Sequence, residues 1–96
     1  IQLAYEAMEP PAVLYHGTAT RFLSSIYEQG LLKQQRHHVH LSPDVETASK
    51  VGVRHGKLVL LKIDAAGMFT NGHLFFRSDN GVWLTEQVPP RYIQTA

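Results

Sequence analysis

The stretch from Lys57 to Ile63 constrains the fold most strongly. It reads Lys-Leu-Val-Leu-Leu-Lys-Ile, a near-continuous apolar run about as long as one strand. Such a run predicts a strand that is buried inside a sheet. A chain of 96 residues has room for one domain, which buries only about two-thirds of the surface of its unfolded chain. We therefore expect the other elements to pack around this central strand as one modest core.

Several shorter strand candidates accompany the central run. From the placement of apolar residues we expect strands at residues 13–16, 39–41, 74–76, 82–84 and 92–93. The turn Asp79-Asn80-Gly81 separates the third from the fourth. It predicts a hairpin, because Asn-Gly tolerates positive φ at both turn positions.

Two helices complete the prediction. The first is expected at residues 21–29, where apolar side chains recur at helical spacing, with Thr20 as its N-cap and Gly30 after its last turn. The second is expected to have Ser42 as its N-cap and Pro43 as its first residue. These elements together predict an α+β fold with about five or six short strands and two main short helices.

The composition excludes several classes of protein. The chain has no cysteine, which excludes a disulfide scaffold and a Cys-ligated zinc or iron–sulfur site. Its formal net charge is only +1, so any site for a polyanion must be local. No apolar run approaches the length of a membrane span and no signal peptide is visible, so we expect a cytoplasmic protein without a membrane partner. The chain begins with Ile1 rather than Met, and we expect it to be part of a longer protein.

The first candidate site is His16-Gly17-Thr18, at the point where the first predicted strand ends. Gly17 allows a ligand to approach the backbone closely. Exposed main-chain N–H and C=O groups there could pair with a planar amide, and His16 and Thr18 add polar side chains. The alternative is a strand-to-helix turn with a packed histidine. The motif alone does not decide between the two.

The second candidate site is the densest polar cluster of the chain, Arg36-His37-His38-Val39-His40-Leu41-Ser42. Arg36 lies at the entrance of a predicted strand, and alternation places His38 and His40 on the same side of it. An arginine, histidines and a helix N-terminus at Ser42 together suit a phosphate or diphosphate. Simple N-capping by Ser42 and a solvated His37 are the structural alternatives. For Arg36 and His40 we favour a role in ligand binding over a purely structural one, since polar side chains beside an apolar strand are costly unless they have a partner.

Two loops add further candidates. Arg54 is bracketed by Gly52 and Gly56, which predicts a tight loop that directs a cation, although an exposed turn fits equally well. In the hairpin that contains Ser78 and Asn80, ordinary turn chemistry is the better interpretation of the sequence alone.

Other reaction classes fit poorly. No pair of carboxylates suggests glycoside hydrolysis, and the chain lacks the Gly-Lys-Ser/Thr ending of a P-loop. His38 and His40 could ligate zinc, but no convincing third ligand stands at metal spacing, so we predict no metal site. One alternative remains open. His16-x-Thr18 and His40-x-Ser42 are similar to the paired motifs of two-histidine phosphoesterases, although those motifs normally stand further apart on a longer chain.

Four motifs taken together are more specific than any one of them. They are Leu14-Tyr15-His16-Gly17-Thr18, Arg36-x-His38-Val39-His40-Leu41-Ser42, Gly52-x-Arg54 and Ser78-x-Asn80-Gly81-Val82. In this order and spacing, over residues 13 to about 92, the chain resembles the catalytic half of the RNA 2'-phosphotransferase family. Two segments are similar in sequence to those of bacterial members: Arg-His-His-Val-His-Leu-Ser and Asn-Gly-Val-Trp-Leu-Thr.

The resemblance implies an ADP-ribosyltransferase-like fold, in which a split, mostly antiparallel sheet holds NAD as a consumed co-substrate. By analogy, the three signature positions of the nicotinamide pocket fall on His16, His40 and Val82. Many relatives in that superfamily carry a glutamate where Val82 stands. The change suits a phosphate acceptor, because a carboxylate would repel a dianion by about 1 kcal/mol at about 4 Å even in water.

The resemblance also implies roles for individual residues. Arg36 is the catalytic residue that neutralises the transferred phosphate. Gly17 and Thr18 hold the nicotinamide amide. The other implied NAD-binding residues, which include those that contact the riboses and the diphosphate, are His16, His40, Ser42, Arg54, Ser78, Asn80 and Val82.

The implied reaction removes an internal 2'-phosphate from spliced RNA, such as a tRNA, in two steps through an ADP-ribosylated 2'-phosphate. The implied partners are that RNA, NAD and a preceding winged-helix-like lobe of the same protein. We take residues 1–12 as the lead-in from that lobe and residues 13–96 as the NAD-binding lobe, which we expect to transfer phosphate poorly by itself. A non-catalytic NAD-binding or ADP-ribose-binding module remains the other alternative.

Overall fold

The computed structural model describes residues 6–33, 38–53 and 56–96. In these ranges there are eight strands: β1 Leu14–Ala19, β2 Leu31–Leu32, β3 Val39–Leu41, β4 Leu58–Ile63, β5 Phe75–Arg77, β6 Trp83–Thr85, β7 Gln87–Val88 and β8 Ile93–Thr95. The α-helices of the same ranges are α1 Leu23–Gln29, α2 Val45–Gly52 and α3 Ala65–Thr70. Short 3-10 turns at Thr20–Phe22 and Pro90–Tyr92 precede α1 and β8.

The strands form three separate sheets in which each described pair is antiparallel. β4 lies between β1 and β8, β6 lies between β3 and β5, and β2 pairs with β7. The apolar run at residues 57–63 therefore forms the central strand of its sheet, as the sequence predicts. The predicted burial is confirmed only for Leu61 and Ile63, which face the core. The predicted α+β class with mostly antiparallel sheets is confirmed.

One apolar core lies between the two three-stranded sheets and α1. The alternation of β1 and β4 directs Leu14, Leu61 and Ile63 into it, and all three are fully buried. Phe75 and Trp83 enter it from the other sheet. The helix α2 packs on the opposite face of the first sheet, against β1 and β4.

The segment before β1 also contacts the fold. Ala7 bridges Phe76, and the main-chain N–H of Met8 donates to the carbonyl of Phe75 at 2.8 Å. Residues 7 and 8 thus line the free edge of β5. The assignment of residues 1–12 as a lead-in from another lobe stays a prediction. None of the helices in the described part of the chain is long and apolar enough to cross a membrane.

The boundaries around α1 differ from the prediction at one end. β1 continues through Gly17 to Ala19 instead of stopping at Gly17, because the whole strand pairs with β4. Thr20 is not an N-cap, since a 3-10 turn begins there and α1 starts only at Leu23. The predicted end of the helix is confirmed. Gly30 adopts φ 83°, and its N–H donates to the carbonyl of Ile26 at 2.7 Å.

The predicted start of the second helix is wrong. α2 begins at Val45, and the N–H of Thr47 donates to Oδ1 of Asp44 at 2.7 Å, so Asp44 rather than Ser42 caps it. Ser42 cannot serve as the cap because its backbone pairs with Tyr15 of β1. A distant strand thus moves the start of the helix by two residues.

The sequence prediction missed three short elements. The strands β2 and β7 are two residues each and exist through pairing with one another. α3 was also missed, although Asp64 gives it a local start signal by accepting the N–H of Gly67 at 3.0 Å. The described residues therefore contain α3 as a further short helix beside the two predicted main helices.

Candidate functional site

The two three-stranded sheets meet at one isolated bridge between β1 and the end of β3. Tyr15 and Ser42 exchange both main-chain hydrogen bonds, each 2.8 Å long. The pairing does not continue to Gly17 and His40, although both are among the described residues. The two strands therefore part beyond this bridge and leave a gap between them, which we call the inter-sheet gap.

The backbone groups at the inter-sheet gap follow from strand alternation. N–H and C=O groups of every second residue point to the same edge of a strand. Since Tyr15 bonds to Ser42, the main-chain groups of Gly17 point toward β3, and those of His40 point toward β1. These are the groups that would pair with each other if the sheet were continuous.

The His16 side chain spans the inter-sheet gap. Its Nδ1 lies 3.0 Å from the main-chain oxygen of His40. A carbonyl oxygen only accepts, so Nδ1 carries the proton, and in the neutral ring Nε2 is the acceptor. Sequence reasoning places both histidines in the candidate site, and the structure brings them together. The sequence does not predict that the His16 ring forms a hydrogen bond with the main-chain carbonyl of His40.

The polar side chains of β3 lie on the face opposite the core. Val39 and Leu41 are buried, whereas His40 between them is exposed. Ser42 is buried beside the bridge and Thr18 is buried on β1. The His38 ring packs against Phe76 with 5.6 Å between ring centroids.

The N-terminus of α2 already holds a negative charge. Hydrogen bonds from the N–H and the hydroxyl of Thr47, with help from Lys50, lower the pKa of Asp44 below the ordinary carboxyl value. Because an ionised carboxylate fills this position, the helix N-terminus does not itself favour a second anion. Any contact of Ser42 with a ligand must therefore come from its place beside the bridge.

The β5–β6 turn holds its polar residues in turn chemistry. The Ser78 hydroxyl accepts the N–H of Val82 at 3.1 Å and donates to Oδ1 of Asn80 at 3.0 Å. Gly81 takes the positive φ, at 81°. Val82 is partly exposed and precedes Trp83, which pairs with Leu41, so the turn lies next to the Ser42 end of β3.

Three polar residues of the predicted site regions lie outside the described residues: Arg36, His37 and Arg54. Lys33 and His38, the described residues on either side of the first two, contact Glu86 after β6 and Phe76 of β5. Lys33 Nζ pairs with Glu86 at 2.6 Å, and this contact, with a smaller effect of His38, lowers the pKa of Glu86.

Within the described ranges, no three His, Asp or Glu side chains are grouped so that they could hold a metal ion.

Comparison with known proteins gives one consistent family. The family model described as "RNA 2'-phosphotransferase, Tpt1 / KptA family" matches residues 2–87. Proteins named "Probable RNA 2'-phosphotransferase" are similar over nearly the whole chain. The one from Pseudomonas aeruginosa strain UCBPP-PA14 is 58% identical over 100% of this chain and 53% of its own length. Those from Pseudomonas fluorescens and Nostoc punctiforme are 56% and 53% identical, each over 98% of this chain and 52% of its own length. The chain thus spans about half the length of these curated relatives.

Proposed function

This chain belongs to the RNA 2'-phosphotransferase family, and from that premise we propose that it is the NAD-binding lobe of an enzyme that removes an internal 2'-phosphate from RNA. We propose further that its split sheet is of the ADP-ribosyltransferase type and that NAD lies across the inter-sheet gap. The observation that carries the proposal is the bond from His16 Nδ1 to the His40 carbonyl, beside strands that part after a single bridge.

The nicotinamide end of NAD fits the Gly17 side of this gap. A carboxamide is planar and has one acceptor and two donors, so it can pair with the N–H and C=O of one residue at a strand edge. Gly17 directs both groups toward the gap and has no side chain to keep a ring away. Thr18, the next residue, is buried and adds a hydroxyl group.

The ribose and diphosphate fit the β3 side. His40 is exposed there, Ser42 stands at the bridge, and the Ser78–Val82 turn lies next to it. We place a ribose hydroxyl near His16, whose Nδ1 bonds to the His40 carbonyl at this gap. The hydroxyl of Ser78 and the amide of Asn80 are held in the turn, so in this proposal they act mainly by fixing the turn that carries Val82.

The proposed reaction has two balanced steps. An oxygen of the RNA 2'-phosphate attacks the anomeric carbon of the nicotinamide ribose, and nicotinamide leaves with the bonding electrons. The adjacent ribose 2''-hydroxyl then attacks phosphorus, which releases RNA with a free 2'-hydroxyl and the cyclic phosphate of ADP-ribose. Arg36 neutralises the transferred phosphate as a cation in both steps. Because Val82 is uncharged, no carboxylate at that position repels the 2'-phosphate dianion.

NAD binding tests the site directly. Isothermal titration of the 96-residue chain with NAD should show one site, and NADP should bind more weakly because it carries an added phosphate on the adenosine ribose. His16→Phe keeps an aromatic ring but loses the Nδ1 donor, so NAD affinity should fall at least about tenfold. His73→Phe is the matched control, since that ring packs against Tyr92 before β8. Equal affinities of the two variants would contradict the placement of NAD in the inter-sheet gap.

Catalysis tests the role of Arg36. Arg36→Ala should leave NAD binding unchanged and reduce phosphate transfer by about 2–5 kcal/mol of transition-state stabilisation. The readout is nicotinamide release on addition of NAD and a 2'-phosphorylated oligonucleotide, in a protein that joins this chain to the preceding lobe. Phosphate removal without NAD would instead favour a two-histidine phosphoesterase, a reading that gains no support from the relatives. NAD binding without any transfer would leave a non-catalytic binding module. Full-rate transfer by the 96-residue chain alone would refute the need for the other lobe.

A further inference from the structure

A second polar surface starts at the Tyr15–Ser42 bridge and crosses the first sheet away from the inter-sheet gap. Ser42 pairs with Tyr15, Tyr15 pairs with Lys62, and Lys62 pairs with Gln94. Residues that pair directly across strands place their side chains on the same face, with Cβ atoms about 5 Å apart. The four residues therefore form one row about 15 Å long.

The Lys62–Gln94 end of the row is accessible because α2 covers only the neighbouring part of this face, whereas Ser42 is buried and Tyr15 is half-buried. Gly17 and Ala19, on the same side of β1, are buried where α2 packs against β1 and β4. Lys62 and Gln94, further along, are exposed. They open into a groove of about 250 Å³ lined by Val13, Lys62, Asp64, Arg91, Tyr92 and Gln94.

The arginine of this groove is held in place. Its guanidinium carbon lies 4.9 Å from the centroid of the Tyr92 ring, and its Nη2 donates to the Tyr92 hydroxyl at 3.0 Å. The same hydroxyl accepts a hydrogen bond from Nδ2 of Asn71 at 2.7 Å, so the tyrosine is itself fixed. A cation ordered in advance loses little entropy when it binds an anion.

The charge of the groove is unbalanced toward the positive. The ion pairs found among the described residues are Lys33–Glu86 and Lys50–Glu46, and neither includes Lys62 or Arg91. Asp64 also lines the groove, but its Oδ1 accepts the Gly67 N–H as the cap of α3. Because a hydrogen bond from an N–H does not cancel the charge of the carboxylate, the two cations and one carboxylate leave the groove with a formal net charge of +1.

We propose that this groove is a second phosphate subsite, in which Lys62 and Arg91 bind a backbone phosphate of single-stranded RNA. The inference rests on the proposed function, because it takes the RNA that carries the 2'-phosphate as the ligand. The row from Ser42 to Gln94 connects the inter-sheet gap to the groove, so the phosphate bound there belongs to a nucleotide a few positions from the reacting one. A point cation and a planar guanidinium suit a phosphodiester better than a base.

The test measures the affinity of the 96-residue chain for 2'-phosphorylated oligonucleotides by fluorescence anisotropy at low salt. Lys62→Gln and Arg91→Gln should each weaken binding of an octanucleotide about threefold, as expected for an exposed charge pair. Each should also reduce the salt slope of log K by about 0.7. Binding of a dinucleotide, which cannot reach from the gap to the groove, should not change.

The controls remove the same charges elsewhere. Lys50→Gln matches Lys62→Gln, because both lysines are exposed. Arg21→Gln matches Arg91→Gln, because the Arg21 guanidinium also lies over the ring of the next residue, Phe22, at 4.8 Å. The control variants should bind the octanucleotide as the unmodified chain does.

Three outcomes would overturn the subsite: equal losses in all four variants, equal losses for the dinucleotide and the octanucleotide, or no dependence of the unmodified chain on oligonucleotide length. If Arg91→Gln unfolds the chain, Lys62→Gln decides alone, since Lys62 is exposed. NAD titration of the same samples separates the two proposals. If the chain does not bind NAD but still binds the octanucleotide more tightly than the dinucleotide, the proposed function is wrong and the proposal of a phosphate subsite in the groove stands.

Discussion

Gly30 gives the sharpest test of the fold around the inter-sheet gap, because it ends α1 and turns the chain into β2 on the way to Arg36. Its backbone has φ 83° and ψ −174°, a combination that is essentially restricted to glycine. A Cβ added there would lie 2.1 Å from the main-chain oxygen of Val88 and 3.2 Å from the Cα of Pro89. Both neighbours are backbone, and Val88 is fully buried in β7, which pairs with β2.

Two effects therefore add in Gly30→Ala. The strained backbone costs about 1–3 kcal/mol. Displacement of the Val88 carbonyl from its ladder costs about 1–3 kcal/mol more, by analogy with other overpacked interiors. We expect a loss of about 4 kcal/mol, a large fraction of the roughly 5–15 kcal/mol that stabilise an ordinary domain.

Urea denaturation followed by tryptophan fluorescence measures this loss. Trp83 is the single tryptophan of the chain and is only 7% exposed, so its emission reports loss of the core. With an m value near 2 kcal/mol/M, the midpoint should fall by about 2 M. Gly72→Ala is the control, since Gly72 has φ 95° but nothing within 4 Å of the added Cβ. It should show only the backbone effect, a fall of about 0.5–1.5 M.

The comparison of the two glycines decides the argument. If Gly30→Ala lowers the urea midpoint no more than Gly72→Ala does, the Val88 carbonyl moves aside at little cost and the expected steric clash is wrong. A refolded variant with normal stability and unchanged NAD binding would also show that the turn before β2 can be rebuilt without effect on the site.

Two further predictions concern single hydrogen bonds. Thr85 is 1% exposed and its hydroxyl donates to the carbonyl of Leu74 at 2.9 Å, so Thr85→Val should lose about 1 kcal/mol in the same urea assay while Thr85→Ser loses less from this bond. Asp44→Asn tests the charged cap of α2, whose pKa is held below the ordinary carboxyl value by the hydrogen bonds from Thr47. Because the folded-state pKa is lowered, the charge stabilises the fold above the unfolded-state value and this contribution is lost as the pH falls through the folded-state value. Thermal midpoints of the unmodified chain and Asp44→Asn should therefore differ at neutral pH and converge in acid. A difference that stays constant down to the acid limb would contradict the assignment of Asp44 as the ionised cap.

The sequence determined those features that depend on near neighbours. The apolar run at residues 57–63 specifies the central strand of a sheet, Asp79-Asn80-Gly81 specifies a hairpin turn, and Gly30 specifies the end of α1. The order of the four polar motifs is also a property of the chain itself, and it leads to the family that the comparisons show.

Only the tertiary structure decided which backbone groups remain at the inter-sheet gap. Ser42 has the residue type of an N-cap, but pairing with Tyr15 removes it from that role and leaves the cap to Asp44. The contact of His16 with the His40 carbonyl likewise depends on strands that pair once and then part. The physical reason is that capping and turn preferences act over a few residues, whereas a main-chain hydrogen bond is satisfied by whichever strand the whole core brings beside it.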